Sequence, residues 1–350
     1  MSRKRILIVG NMGYVGPVLC RHLRACWPEA ELIGVDAAWF AHCLATKELP
    51  ERVLDQQWFL DARDLTLEQL RGVTALIYLA AVSNDPMGAS FEDITLAINR
   101  DAAARLAALA RRARVRHFVY ASSCSVYGFA EDGHPRTETD ALDPLTAYAR
   151  SKVETEQILA GSDDGQMVTT CLRFATACGR SPRLRLDLVL NDFVAAAITS
   201  GEIQVLSDGS PWRPLIDVAD MARALAWAVE RPIENGGSML IVNAGSDCWN
   251  YQVRDLAQAV ASHTQSHVSI NQAAPPDQRS YRVDFSRFRD LAPDHQPRVD
   301  LSTSVAGLID QVSTMNLSQD CFRSSRYVRL NVLRESVAEG RMSTALRWST

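Results

Sequence analysis

Two residues four apart in the run YARSK, Tyr148 and Lys152, form the pair best suited to acid–base chemistry in this 350-residue chain. On a helix that spacing is about one turn, so both side chains face the same side. A lysine ammonium beside a phenol favours the phenolate, which would make Tyr148 a base near neutral pH. About 25 residues upstream, an apolar stretch ends in ASSCSVYG (121–128), where Ser122, Ser123, Cys124 and Ser125 follow one another. It offers hydroxyls to a reacting oxygen and one thiol, which is either packing, pocket lining or a reagent.

A second group of residues could hold a phosphate. GNMGYVG places Gly10, Gly13 and Gly16 between the β-branched run RILIV and the helically spaced VLCRHLRAC. Glycine permits a tight turn, lets a pyrophosphate approach the backbone and lets helix pack on strand, while the helix N-terminus attracts the phosphates. Pro17 fits the first turn of such a helix. Asp36 closes ELIGVD, 20 residues after Gly16. A carboxylate there takes both ribose hydroxyls of NAD and repels a 2′-phosphate. No arginine follows in DAAWF, so NAD is expected rather than NADP.

These residues need a scaffold. RILIVG, ELIGVD, ALIYLAAVS and RHFVYASS read as strands, and ITLAINRDAAARLAALARRA as an Ala-rich helix between the last two. Strands alternating with helices imply a parallel, doubly wound sheet. After about residue 176 the alternation becomes irregular, which predicts a smaller lobe interleaved with the first, with a helix near Phe322 to Glu339.

Composition narrows the class. The chain is 47% hydrophobic and 22% charged with a net charge of −4, so it has no general footprint for nucleic acid. The basic run RRARVRH (111–117) reads as a solvated helix end. No apolar run reaches the roughly 18 residues of a membrane helix. Eight cysteines lack CxxC pairing or histidine partners at zinc spacing, which predicts free thiols, no metal and a reducing cytoplasm.

The ordered set GNMGYVG, Asp36, DARD, YLAAVS, Asn99, SSCSVYG, YARSK, LRFATACG and WRPLIDVAD resembles the extended short-chain dehydrogenase/reductases, specifically the NAD-dependent nucleotide-sugar epimerases and dehydratases, over about residues 4–290. The resemblance implies an α/β, Rossmann-type doubly wound parallel sheet with a smaller C-terminal substrate-binding lobe. It divides the chain into 1–175 plus about 213–245 for NAD, and 176–212 and 246–350 for substrate. It places NAD against Gly10, Gly13, Tyr14 and Val15, with Asp36 on the ribose, Asp61 and Ala62 at the adenine, Ala80 and Ala81 as floor, and Asn99 beside it or purely structural. Counting back from Gly128, the family's catalytic serine falls on Ser123. Arg213 matches the arginine that binds substrate diphosphate, Asn191 the asparagine that helps seat it, and Arg279 or Arg282 a second diphosphate arginine.

The implied reaction starts with Tyr148, lowered in pKa by Lys152, taking a proton from a sugar hydroxyl at C4 while hydride leaves for NAD and Ser123 supports the oxygen. The 4-keto sugar then branches. In related 4,6-dehydratases a glutamate of the serine loop removes the C5 proton, but here Cys124 and Ser125 stand in those places. Cys124 is also one position out of register with the catalytic cysteine of some 3,5-epimerising relatives. A 4-epimerase is therefore expected first, with a dehydratase, decarboxylase or 4-dehydrogenase as alternative. A non-catalytic NAD sensor is disfavoured by the intact Ser123, Tyr148 and Lys152, and a hydroxy-lipid dehydrogenase by Arg213.

Candidate sugar contacts are Ser83 and Asp85 of AAVSNDP, Cys124 and Ser125, and Thr176, which replaces a common asparagine. Arg183 and Arg185 belong either to a solvated loop or to a contact with an anionic sugar or extra phosphate. The expected partners are a nucleotide-diphosphate sugar and a second copy of the chain. The homodimer would pack through Asn99–Arg112 and Tyr148–Leu159, where alanines 102, 103, 104, 107 and 108 allow close approach.

Overall fold

The computed structural model describes residues 3–129, 133–274, 280–318 and 322–349. Seven parallel strands form the central sheet. In chain order the first six are β1 (Arg5–Val9), β2 (Glu31–Asp36), β3 (Gln56–Phe59), β4 (Ala75–Tyr78), β5 (His117–Ser123) and β6 (Val168–Phe174). The short strands β7 (Thr176–Cys178), β8 (Glu202–Val205) and β9 (Trp212–Asp217) intervene before β10 (Met239–Ala244) completes the sheet. The spatial order is β3-β2-β1-β4-β5-β6-β10. The order reverses between β1 and β4, and a ligand crevice belongs at the C-terminal ends of the strands flanking that reversal.

Period-two alternation explains the layers. Ile6 and Ile8 of β1 face a core containing Leu19 and Leu23 of α1 (Gly16–Cys26) and Leu225 of α7 (Val218–Glu230). Leu7 and Val9 face Leu106, Ala107 and Ala110 of α4 (Ala103–Arg112) and Leu159 of α5 (Ala147–Gly161). Both faces are covered, so the strands are continuous apolar runs. Full burial of each large aliphatic chain contributes about 1.5–3 kcal/mol. Ala102, Ala103 and Ala107 are spent in this internal packing, which leaves Ala104 and Ala108 toward the outside.

Two short helices, α2 (Asp85–Ser90) and α3 (Glu92–Thr95), lead into a π-helical stretch at Leu96–Ala102. Beyond β6 the second lobe carries α6 (Val189–Ser200), α8 (Val253–Thr264) and α10 (Leu301–Ser313), with α6 packed against both others, and the short α9 (Ser286–Leu291). It holds a three-stranded sheet in which β9 lies between β7 and β11 (Asn250–Gln252), and a parallel pair of β8 and β12 (His267–Ile270). Thus β9 belongs to the small sheet, while α7 and β10 return to the large one.

The predicted helix near 322–339 is α11 (Arg329–Ala338). It does not stay in the second lobe. Leu333, Met342 and Leu346 pack on Trp39, Val82, Met87 and Ile98 of the first lobe, so the segment returns to that lobe. Among the described residues no helix is long and apolar enough to cross a membrane, no cluster of His, Cys, Asp or Glu fits a metal ion, and every cysteine is free.

Candidate active site

A cleft of about 910 Å³ opens between the lobes above the β1/β4 reversal. That is the upper end of the range for small-molecule sites. One end is lined by Gly10, Gly13, Tyr14, Val15, Asp36, Asp61, Ala62, Ala80 and Ala81, and the other by Ser83, Asp85, Ser123, Ser125, Tyr148, Lys152, Thr176 and Arg213.

The three glycines serve different ends. A Cβ on Gly10, whose φ is +90°, would lie 2.5 Å from the Ala80 nitrogen, and one on Gly16 would lie 2.2 Å from the Asn11 carbonyl oxygen. Both are required by the protein's own backbone. A Cβ on Gly13 would meet only the Gly10 carbonyl, at 3.4 Å, so this glycine keeps the cleft side clear for a ligand. Val15 caps α1 without a side-chain hydrogen bond, which leaves first-turn N–H groups for an anion. Asp36 accepts from Met12 N at 2.9 Å and Ala38 N at 2.7 Å, yet burial raises its pKa. A dinucleotide's diphosphate and ribose fit this donor and acceptor set. Asp61 is more occupied than expected. Arg63 grips both its oxygens, at 2.9 and 2.7 Å, and Arg63 N donates to it as well.

At the other end, β5 delivers Ser123 to the cleft and a 3₁₀ turn follows. Ser125 N donates to Ser123 Oγ at 3.1 Å, and Gly128, at φ +62°, ends the turn where a Cβ would sit 2.0 Å from the Asp143 carbonyl oxygen. The turn sends alternate side chains to opposite sides. Ser123 and Ser125 reach the cleft, and Ser125 Oγ is buried without a partner. Cys124 points into the core, 1% exposed, and donates to the Arg173 carbonyl oxygen at 3.1 Å. Burial pushes its thiol pKa up. The expectation that Cys124 touches substrate is therefore corrected: the turn geometry makes it packing.

Thr146 caps α5 by accepting from Ala149 N at 3.1 Å, and its hydroxyl donates to Asp85 at 2.8 Å. This sets Tyr148 in the first turn and ties it to the start of α2 at Asp85. Ser123 and Tyr148 line the cleft together. One turn on, Lys152 Nζ donates to the Ala121 carbonyl oxygen at 2.7 Å and stands 4.6 Å from the Tyr120 ring centre and 5.5 Å from that of Tyr148. Burial pulls the Lys152 pKa down to about 7. Burial likewise pushes Tyr148 up to about 12, against the lowering effect of the Ser123 side chain. The sequence expects Lys152 to lower Tyr148, but among the chain's own groups desolvation is the larger effect.

Asn99 is buried and does not line the cleft. Its amide accepts from Val82 N and donates to Val82 O and Ser151 Oγ, so it braces the floor loop against α5. The π-helical turn around it leaves backbone carbonyls open, and hydroxyls fill them: Tyr78 on Ile98, and Tyr120 and Thr155 on Asn99. Nothing in the sequence signals this bulge except an asparagine among apolar residues. Asn191 is also a brace. It holds Tyr14 OH, the Arg185 carbonyl and Gly179 N, fully buried, so its expected substrate contact is corrected too. Arg282 donates to the Gly133 carbonyl and stacks on Trp212, away from the cleft. Arg279 lies outside the described residues.

The run SPRLRLDL is buried rather than solvated. Arg183 is buried against Glu51. Arg185 lines the cleft, held by both oxygens of Asp187 at 2.9 Å and donating to Ser83 Oγ at 2.8 Å, while Asn84 also donates to Asp187. In the sequence, only its two-residue spacing from Arg185 marks Asp187. Beneath the serine turn, Arg173 pairs with Glu156 at 2.7 Å, both nearly fully buried, and Ser122 donates to Glu156 at 2.5 Å.

The chain matches the model of the NAD dependent epimerase/dehydratase family over residues 6–245. It is 26% identical over 237 residues to "Uncharacterized UDP-glucose epimerase YtcB" of Bacillus subtilis, covering 65% of this chain and 73% of the relative. Among solved structures it is similar to the NAD-dependent NDP-hexosamine 5,6-dehydratase TunA, with 23% identity, TM-score 0.78 and coverage of 91% of this chain and all of that one. It is also similar to the UDP-glucose-4-epimerase of Stenotrophomonas maltophila solved with NAD and formylated UDP-arabinopyranose, with 22% identity, TM-score 0.75 and coverage of 89% and 99%. With the family's fold, its glycine turn and its cleft all present, this chain is a member of the NAD dependent epimerase/dehydratase family.

Proposed function

We propose that this enzyme is a nucleotide-diphosphate-sugar 4-epimerase working through a 4-keto sugar. The observation that carries the reading is the grouping of Ser123, Tyr148 and Lys152 in the cleft with no spare carboxylate beside them. Among the described residues, Asp85 is engaged by Thr146, Asp187 by Arg185 and Asn84, and Asp192 by Arg323. An elimination needs a base for the C5 proton, and the turn offers only an inward-facing Cys124 and Ser125 there. The chain's own set is complete for inversion and incomplete for the usual dehydration.

Bound NAD supplies the acceptor and donor for a hydride that leaves C4 and returns, inverting the centre when it returns to the opposite face. Tyr148 takes the hydroxyl proton and gives it back. Ser123 donates to the oxygen as it becomes a carbonyl, a contact that strengthens as charge develops. Lys152, held between Ala121 O and the Tyr120 ring, favours the phenolate whenever it is charged. Arg213 receives the substrate diphosphate, and Ser83, Ser125 and Thr176 face the sugar. Supporting the cytoplasmic homodimer in the same reading are the free cysteines and the outward Ala104, Ala108 and Ile158.

The test is proton NMR in D₂O with a panel of UDP-, dTDP-, GDP- and CDP-sugars and no added cofactor. Inversion at C4 without deuterium uptake is expected, falling about 10²–10⁴-fold in Tyr148→Phe with the fold intact. Deuterium at C5 or C6, or a product that stops as a ketone, would replace the epimerase with the dehydratase, decarboxylase or 4-dehydrogenase alternative.

A further inference from the structure

Arg329, in the first turn of α11, is 1% exposed yet lines the cleft. Its guanidinium donates to three backbone carbonyls, Arg326 O at 3.0 Å, Arg183 O at 2.8 Å and Leu184 O at 3.2 Å, and lies 5.0 Å from the Phe40 ring centre. It makes no salt bridge to any described carboxylate, whereas its neighbours Arg183, Arg185 and Arg323 each hold one. Taking a cation out of water without a counter-charge is costly unless an anion joins it.

Its position says which anion. The loop that accepts its hydrogen bonds is pinned to the glycine turn, because Ser181 Oγ donates to Tyr14 O at 2.6 Å and Tyr14 OH donates to Gly179 O at 2.6 Å. Phe40, on its other side, lies four residues past Asp36. Arg329 is thereby joined through loop 181–184 to the glycine turn, with Phe40 also beside it, and it lines the same cleft as Gly13 and Asp36. A dinucleotide spanning the cleft must carry its diphosphate through that region. Further along the segment, Trp348 Nε1 donates to Ala37 O, Arg63 donates to Ala345 O and Leu346 O, and Arg347 pairs with Asp64. These contacts fasten the segment beside Ala37 and Asp61, which line that end of the cleft.

We propose that segment 322–349 is part of the NAD site: Arg329 binds the cofactor's diphosphate opposite the glycine turn, and the 345–348 turn encloses the adenosine. The proposal concerns the cofactor alone and does not depend on which sugar is bound or how it reacts. An arginine fork suits a diphosphate because charge-assisted hydrogen bonds are roughly twice as strong as neutral ones.

The experiment uses the full chain stripped of cofactor, and titrates ADP-ribose and, separately, UDP into wild type and Arg329→Met. A 10–100-fold loss of ADP-ribose affinity with UDP binding unchanged is expected. Unchanged ADP-ribose binding overturns the proposal, and so does a loss confined to UDP, which would assign Arg329 to the substrate. Should Arg329→Met fail to fold, the surface double variant Arg347→Ala/Trp348→Ala is read by the rate at which fluorescent NADH leaves the holoenzyme. Release several-fold faster than wild type supports the enclosing wall, and an unchanged rate overturns it.

Discussion

Replacing Lys152 with methionine should stabilise the cofactor-free protein while abolishing turnover. The ammonium is 3% exposed, and burial lowers its pKa from 10.5 to about 7. At about 1.4 kcal/mol per pKa unit, this shift costs the fold roughly 4–5 kcal/mol where the group is charged in both states. Methionine keeps most of the stem's packing but leaves the Ala121 carbonyl oxygen unpartnered and removes the cation from the Tyr120 face, together about 2–3 kcal/mol. The net gain is roughly 1–3 kcal/mol. For a chain of this length, with an unfolding entropy near 2.1 cal/mol/K per residue, that is about 1–4 °C. The pH profile identifies the cause. A base depressed in the folded state binds fewer protons there, so wild-type stability rises with pH between about 7 and 10.5, and the penalty is complete below 7. The methionine variant's advantage should be full at about pH 6, cancel near about pH 8.5–9 and turn into a deficit of about 2–3 kcal/mol near 10.5, where only the lost contacts remain. Denaturant midpoints of the two proteins across that range make the measurement. A variant less stable at pH 6, or a difference that ignores pH, would refute the reasoning.

Two further outcomes follow from the floor of the site. Glu156→Gln leaves Arg173 charged and unpaired at 4% side-chain exposure, so a loss of about 3–5 kcal/mol in urea unfolding is expected, and a loss under about 1 kcal/mol would mean the network tolerates a free arginine. Cys124→Ala should keep turnover within about twofold, and native Cys124 should resist iodoacetamide while the exposed Cys26 and Cys248 react. Alkylation of Cys124 in the folded protein, or a tenfold activity loss without unfolding, would return the thiol to the cleft.

What the sequence disclosed was local. The first two strand runs, the glycine turn and Asp36 lie within about 30 residues of one another, and their period and spacing carry the geometry. Tyr148 and Lys152 are one turn apart and needed only the helix. What it hid depends on distant partners. The side on which Cys124 falls is decided by a 3₁₀ turn stopped at Gly128 against Asp143. Asn191 braces Tyr14 because Gly179 and Arg185 fold back to meet it, and only tertiary structure reveals that. Arg185 reads as one more basic residue until Asp187 and Ser83 fix it in the cleft wall. Segment 322–349 has no period that names its target, since Trp39, Val82 and Met87 lie about 250 to 300 residues earlier.

That separation bears on how the protein is made. Chains fold domain by domain as they leave the ribosome, N-terminal part first, and contacts of long sequence separation form late. Strands β1 to β6 can pair once residue 174 has emerged, but Trp39, Met87 and Ile98 stay uncovered until Leu333, Met342 and Leu346 arrive. A nascent chain therefore presents an apolar patch beside the dinucleotide cleft while about 160 further residues are added. Chaperone demand should concentrate in that interval.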